Sequence, residues 1–531
     1  MKKTTLLLFL ALTGCQDDFL EKQPIDQFTD EAVWSDPKLV VPFVNSKYNS
    51  IGWGFDEVLW ASLSDEAMFK HDYGTHLVNR GEVGPSNLGI TNSWTKNYGY
   101  IRDVNLFFER IDDVPMDEAL KKRLMGEMKF IRAFRYFDLI RNYGEVPLIT
   151  KTFGLNDDFT QVRRAPLAEG TAFVVKEADE AAALLPLAYE GADVGRATRG
   201  AALALKARML LYAASPLYSP SRDAAKWQQA ADAAKAVLDL GQYQLYPNYQ
   251  ELFLTPHNAE VIFERARVAV GDGWVHLELS NGPNGYGGWG GNMPLQNLVD
   301  AYQTSTGKNI TDPTSGYNPQ NPYLNRDPRF YATILYNGAK YKDRAVETFV
   351  PGGKDSQDGP EEWNTSITGY YLRKFMNERK QLKDFSNGST THWIHFRLGE
   401  VLLNYAEARN EASGPDATVY DAVNQIRARV SMPTLPAGLS QAQMREAIRR
   451  ERQVELAFEE HRYYDVRRWQ IAGQTESQPA RGIIVTKNPD GTLKHEVTTV
   501  QERRFADRNY WLPIPFKETQ ANPALKQNPG W

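Results

Sequence analysis

The chain has 531 residues, and its 61 Lys+Arg against 66 Asp+Glu give a formal charge of -5 with no basic block, which excludes a nucleic-acid phosphate backbone as its partner. Aromatic residues make up 12%, with 26 Tyr and 12 Trp, a composition suited to surfaces that are apolar and wet together. The length allows one large helical body or several domains.

Residues 1–14 carry Lys2 and Lys3 and then an apolar run from Leu6 to Leu12, which is too short to span a bilayer and is ordered like a signal peptide. Leu12-Thr13-Gly14-Cys15 reads as a lipobox, and Cys15, the only cysteine, is expected to be lipidated. No later apolar run is long enough to cross a membrane, so the reading is of a chain anchored to one. Residues 15–38 are polar and are expected to form a tether. From Leu39 to Tyr73 the pattern is irregular and aromatic, and it holds the acids Asp65, Glu66 and Asp72, which suit sugar hydroxyls as hydrogen-bond acceptors.

Helices are expected from about Ile101 onward. In Glu118 to Asn142, Phe130, Ile131, Phe134 and Phe137 share one stripe while Lys129, Arg132 and Arg135 lie off it, and Tyr143-Gly144 stops the helix. Arg196 to Ala214 and Ala224 to Leu240 have alanine-rich faces and predict a closely packed hairpin. A second hairpin is expected around Leu398, Val401 and Leu402 and around Val419, Val423 and Ile426, with a break at Gly414-Pro415. Ser440 and Gln443 form a capping-box pattern for a helix expected to run to about Tyr463. Charges in that helix are expected to pair across helices, so Glu451, Glu455 and His461 are read as members of an ion-pair network and not as catalytic groups. The tail from Tyr510 to Trp531 is proline-rich and expected to be extended. The pattern divides into a helical region at 39–242, a loop-rich lobe at 243–393 and a helical region with an extended tail at 394–531.

Within the lobe, residues 274–302 stand out, with Trp274, Tyr286, Trp289 and Tyr302 flanking a glycine run. Gly285, Gly287 and Gly290 match the dinucleotide fingerprint in spacing only, because no apolar strand precedes them and Pro294 follows. The stretch reads as a loop presenting rings to a ligand: ring faces suit the apolar face of a pyranose, and Asn281, Asn284 and Asn292 suit its hydroxyls. The competing reading makes Trp289 and Tyr302 core rings. Eight histidines show no metal-ligand spacing, so no metal site and no cofactor are expected, with a structural calcium ion left open.

Together these motifs resemble the SusD/RagB family of Bacteroidetes outer-membrane lipoproteins. The resemblance is carried by CQDDFLE from Cys15, FIRAFRYFDLIRNYGEVPLI from Phe130, GRATRGAALALKARMLLYAASPLY from Gly195, RDPRFYATILYNG from Arg326, FRLGEVLLNYAEARNEA from Phe396, RRERQVELAFEEHRYYDVRRW from Arg449 and the ending LPIPFKETQANPALKQNPGW. One departure is Gln303-Thr304-Ser305-Thr306-Gly307, where an acidic turn is expected. The resemblance implies a mainly α fold of tetratricopeptide-like hairpins with a loop-rich insertion carrying the ligand face, and no enzymatic activity. It also implies an oligosaccharide ligand (a peptide in some members) and a SusC-like, TonB-dependent β-barrel partner at the cell surface. The first candidates for ligand contact are Trp274, Tyr286, Trp289, Asn292 and Asp65; a surface glycoside hydrolase is the remaining alternative.

Overall fold

The computed structural model describes residues 30–52, 54–55, 57–154, 156–268, 276–381 and 388–531; Cys15 and Trp274 lie outside them. Among the described residues the fold is mainly α, with strands only in two-stranded pairs. The helices pack as an array in chain order: Trp94–Arg110, Glu118–Tyr143, Leu167–Leu184, Arg199–Ala214 and Ala224–Leu238. Ala224–Leu238 then packs directly on Leu398–Ser413, across the whole loop-rich segment that separates them in sequence. The loop-rich segment is therefore looped out of a continuous array.

Local chemistry sets the helix bounds. Asp117 caps Glu118–Tyr143 by accepting from the Leu120 N–H at 2.8 Å, and Gly144 at φ 72° ends it where a Cβ would meet the Trp511 ring at 3.2 Å. Phe130, Ile131 and Phe137 are buried as expected, but so are Arg132 and Arg135, so this helix is enclosed well beyond one stripe. Arg132 is satisfied there by Glu177 at 2.7 and 2.9 Å. The alanine faces of Arg199–Ala214 and Ala224–Leu238 are buried at Ala201, Ala207, Ala230 and Ala234. Small side chains let those backbones approach.

The capping box at Ser440 and Gln443 forms with both of its bonds, and Gln441–Glu455 follows. This helix stops at Glu455 instead of reaching Tyr463. Its last carbonyls are taken by other partners: Glu455 O accepts from Tyr249 Oη at 2.6 Å and from Arg397 at 3.0 Å, and Ala457 O accepts from Lys374 Nζ at 2.8 Å. Phe458 and Glu460 take positive φ, both 63°, and a new helix, His461–Arg468, begins in another direction. The tail also differs from expectation, since its extended path is interrupted by the short helix Phe516–Ala521. An antiparallel hairpin, Ala480–Lys487 with Leu493–Gln501, was not expected at all.

Two elements connect the loop-rich segment to the array. Strand Val261–Arg265 leads into it and pairs antiparallel with strand Trp393–Arg397, which leads out. Arg397 closes this neck from inside: its guanidinium reaches Glu260, Glu455 and Glu459, each at 2.7 Å. Glu455 also receives Arg329 at 3.0 Å and Arg429 at 2.6 Å, so it joins four chain segments. Burial opposes its charge, but Arg429, Arg397 and Arg329 together hold the Glu455 carboxyl well below the usual range. His461 is no part of this ion pairing; burial, with the charges of Arg208 and Arg452, pushes it well below its ordinary value and keeps it neutral.

Arg397→Ala removes a guanidinium shared by three buried carboxylates, leaving Glu455 to Arg329 and Arg429, Glu260 to Arg429 and Glu459 to Lys374, so it is expected to lower stability by roughly 3–5 kcal/mol, read as a fall in the urea unfolding midpoint. Lys235→Ala removes only the exposed pair with Asp239 and is expected to leave that midpoint unmoved.

Candidate functional site

Strand Ala67–Phe69 pairs antiparallel with Asn292–Pro294, setting Phe69 opposite Asn292. The ladder runs one bond further, from the Lys70 N–H to Gly291 O at 2.8 Å, and His71 Nε2 then lies 3.3 Å from the Trp289 carbonyl oxygen. This pairing brings residues 69–74 and 286–291 to a single rim.

The backbone of the first segment is strained. Asp72, Tyr73 and Gly74 take φ of 65°, 44° and 89° in succession, a run that only the glycine adopts readily. Asp72 holds the turn: its side chain accepts from the His76 N–H at 2.8 Å and its carbonyl from the Thr75 N–H at 2.9 Å. The turn throws Tyr73 outward, where it is 54% exposed, while its ring keeps to 5.4 Å from Phe69 and 6.2 Å from His71. Strain of this kind concentrates at functional sites.

The second segment is more ordered than a plain loop. The stretch contains the helices Leu277–Asn281 and Gln296–Ala301 and the strand Asn292–Pro294. Its glycine run folds back on the first of these, with the Trp289 N–H on Leu279 O at 2.8 Å and the Gly291 N–H on Ser280 O at 2.7 Å. Gly288 permits this approach, since a Cβ there would lie 2.2 Å from Gly282 O; at Gly290, φ is 60° and a Cβ would lie 2.5 Å from Asn364 O. The glycines therefore serve close packing of backbone on backbone.

The rings and polar groups singled out in the sequence are placed unequally. Trp289 is half-buried on the rim. Tyr286 is also half-buried, with the Arg344 guanidinium 3.9 Å above its ring and its hydroxyl donating to Tyr341 O at 2.8 Å. Tyr302 is a core ring, 5.7 Å from Phe330.

Asn292 is a correction. Its Oδ1 accepts from the Leu59 N–H at 2.9 Å and Ser62 Oγ at 2.8 Å, and its Nδ2 donates to Glu57 O at 2.9 Å and Asn281 Oδ1 at 2.8 Å. All four positions of the amide are used, so none remains for a sugar hydroxyl. Asn284 is buried too, donating to Pro360 O and Ser356 O at 2.8 and 3.2 Å and accepting from Tyr371 Oη at 2.7 Å. Asp65 is a second correction: it is buried, and both carboxylate oxygens lie 2.7 Å from Arg462. Burial raises its carboxyl, but the Arg462 charge and bonds outweigh this and hold it below its usual value.

Sequence reasoning missed several rim groups. Trp363 is 63% exposed and directly precedes Asn364, the residue whose carbonyl Gly290 packs against. His71 and Tyr73 carried one signal, an aromatic pair just before a glycine. Glu57 is exposed near His71; partial burial holds its carboxyl above the usual value, against the smaller opposing effect of His71. Cavities lie elsewhere, among them an apolar one of about 400 Å³ bounded by Trp94, Ile101 and Phe159 and a polar one of about 220 Å³ bounded by Trp60, Arg135 and His461. Neither is lined by Tyr73, Tyr286 or Trp289; on the rim Tyr73 and Trp363 face solvent. Among the described residues one metal-ligating group occurs, His257, Glu264 and His392, and it includes no rim residue.

A family model described as "SusD family" matches residues 259–531, and one described as "Starch-binding associating with outer membrane" matches residues 18–211. A SusD-like protein P2 of Formosa agariphila is 25% identical, covering 100% of this chain and 99% of that one. A solved SusD-like protein of Bacteroides fragilis superposes with a TM-score of 0.83 at 31% identity, over 96% of this chain and 100% of that chain. A SusD-like carbohydrate binding protein from the same organism superposes with a TM-score of 0.80 at 26% identity, over 93% and 99%. A laminarin binding SusD-like protein superposes with a TM-score of 0.67 at 25% identity, over 94% and 100%.

Beneath the rim Glu66 gives a pH prediction. Its Oε2 accepts from the Phe458 N–H at 3.3 Å, and burial pushes its carboxyl up to about 8 from 4.5. The folded chain therefore holds a proton that the unfolded chain has released. That stabilisation is complete below about pH 4.5 and is lost as pH rises through about 8. Glu66→Gln mimics the protonated form, so it is expected to unfold at higher denaturant than wild type above about pH 8 and to flatten the slope of stability below it.

Proposed function

The chain belongs to the SusD family, and from that premise we propose that it binds an oligosaccharide on the rim formed by residues 69–74 and 286–291, without cleaving it. The observation that carries this reading is the strained Asp72-Tyr73-Gly74 turn, which fixes an exposed ring next to His71, itself against the Trp289 carbonyl. A ring already held in place needs little further ordering on binding, and its flat face matches the apolar face of a pyranose. Tyr286, Trp363 and His71 extend that surface, and Asp72 and Glu57 offer acceptors for hydroxyls. Asn292 and Asp65 support the rim from below. A surface of exposed rings favours a chain of sugars over a single small molecule. The solved relatives described as carbohydrate binding and laminarin binding support the same ligand class.

The second part of the proposal concerns place and partner. Cys15 carries the lipid anchor, the chain sits on the outer face of the outer membrane, and a SusC-like TonB-dependent barrel receives the ligand. The family description "associating with outer membrane" supports this location, and among the described residues no helix is long and apolar enough to cross a membrane.

Isothermal titration against a panel of oligosaccharides is expected to find a ligand whose affinity falls about tenfold or more, about 1.4 kcal/mol, in each of Tyr73→Ala and Trp289→Ala. Unchanged affinity in both variants would remove the rim from the site, and new reducing ends in the same mixtures would overturn the non-catalytic reading. Cys15→Ala is expected to move the protein from the membrane to the soluble fraction. Purification from mildly solubilised outer membrane is expected to bring a β-barrel with it.

A further inference from the structure

The neck of the loop-rich segment carries a group of side chains that the sugar-binding rim does not use. Glu264 lies on the strand leading in, Val261–Arg265, and is buried. His257 lies in the turn ahead of that strand, and His392 directly precedes the strand leading out, Trp393–Arg397. His257 Nδ1 and His392 Nδ1 face the same carboxylate oxygen, Glu264 Oε1, at 2.7 and 2.9 Å. The ligand atoms of all three residues lie within 4.8 Å of one another.

From these contacts we propose that His257, Glu264 and His392 bind one divalent transition-metal ion, of which Zn²⁺ is the representative, and that the ion clamps the neck. Hydrogen bonding alone accounts poorly for the arrangement. Glu264 Oε1 also receives the His257 backbone N–H at 3.0 Å, so three nitrogens converge on an oxygen with two lone pairs. A cation placed between the two Nδ1 atoms and the carboxylate turns that crowding into coordination.

The dimensions suit such an ion. Bonds of about 2.0–2.2 Å in a tetrahedral sphere set ligand atoms about 3.3 Å apart, so the three groups have only to open by a few tenths of an ångström. The imidazole planes meet at 74° with centroids 5.2 Å apart, which lets both rings point their Nδ1 atoms inward without stacking.

His257 sits at φ 52°, a backbone conformation that fixes the direction of its side chain. The group opens on a cavity of about 210 Å³ that His257 and Glu264 line together with Leu187, Val194 and Tyr243. The His257 side chain is 41% exposed, so an ion has a path in and water can complete its sphere. Two imidazoles with one carboxylate select Zn²⁺, Co²⁺ or Ni²⁺ over Ca²⁺ and Mg²⁺, which take oxygen ligands.

The consequence is mechanical. One ion would tie the turn before the inward strand to the start of the outward strand, on the same strand pair that Arg397 secures from the core. Metal binding at these three residues is independent of sugar binding at the rim, which uses none of them.

The test uses the full chain purified without a histidine tag and stripped with a chelator. Equilibrium dialysis against Zn²⁺, followed by elemental analysis, is expected to find one ion per chain. His257→Ala and His392→Ala are each expected to weaken binding by more than the roughly 10–100-fold that loss of an outer-shell partner causes. His495→Ala, on the distant hairpin, is expected to leave binding unchanged. Zn²⁺ should raise the thermal midpoint of wild type and not that of His392→Ala.

Because a variant can fail to fold, Co²⁺ is also added to wild type. Intense visible bands of a four-coordinate site support the proposal, and the weak bands of six-coordinate aqueous Co²⁺ overturn it. Equal Zn²⁺ affinity in wild type and both histidine variants overturns it as well.

Discussion

The structure depends on a carboxylate that never meets water. Glu455 is fully buried and is neutralised by Arg329, Arg397 and Arg429, which come from a short helix in the lobe, from the neck strand and from the end of helix Ala417–Arg429. Burying such a group is tolerable only when every partner is present, so the array, the neck and the lobe must dock together or not at all. The same constraint recurs at Glu407, whose oxygens receive Arg468 at 2.5 and 2.7 Å and Trp469 Nε1 at 2.7 Å. A charge-rich segment, Arg449 to Trp469, is thereby made largely interior, its charges pairing across helices as its sequence leads one to expect.

That interior explains how an open rim is kept in place. The strand pair under the rim is pinned by Asn292, whose amide is saturated, and by Asp65 on Arg462. Nothing polar is left over in those two groups to rearrange. What faces solvent is a set of rings, with Asp72 on the strained turn and Glu57 near His71. Polar residues supply the rigidity, and aromatic residues supply the contact area.

Much of the scaffold was legible in the sequence because it rests on local rules. Asp117 and Ser440 cap helices where their positions say they should, Gly144 ends one, and the alanine faces pack as the spacing requires. The hairpin Ala480–Lys487 with Leu493–Gln501 is marked locally too, by β-branched residues on both sides of Asn488-Pro489-Asp490-Gly491. The helix break after Glu455 was hidden, because its cause is Tyr249, Lys374 and Arg397 taking the terminal carbonyls from distant positions. The site was read less well. Asn292 and Asp65 have the chemistry of ligand contacts, and only burial shows that their bonds are already made.

By itself the sequence determined the mainly α architecture, the family and the stretch around residues 286–291 as a place of unusual backbone, since helical period, caps and glycine spacing act between near neighbours. Tertiary structure alone decided which polar groups are saturated, which rings reach solvent and that His257, Glu264 and His392 meet. Those outcomes depend on strand register and on contacts between residues hundreds of positions apart. No local pattern encodes them; the register that sets Phe69 against Asn292 also sets what is left exposed.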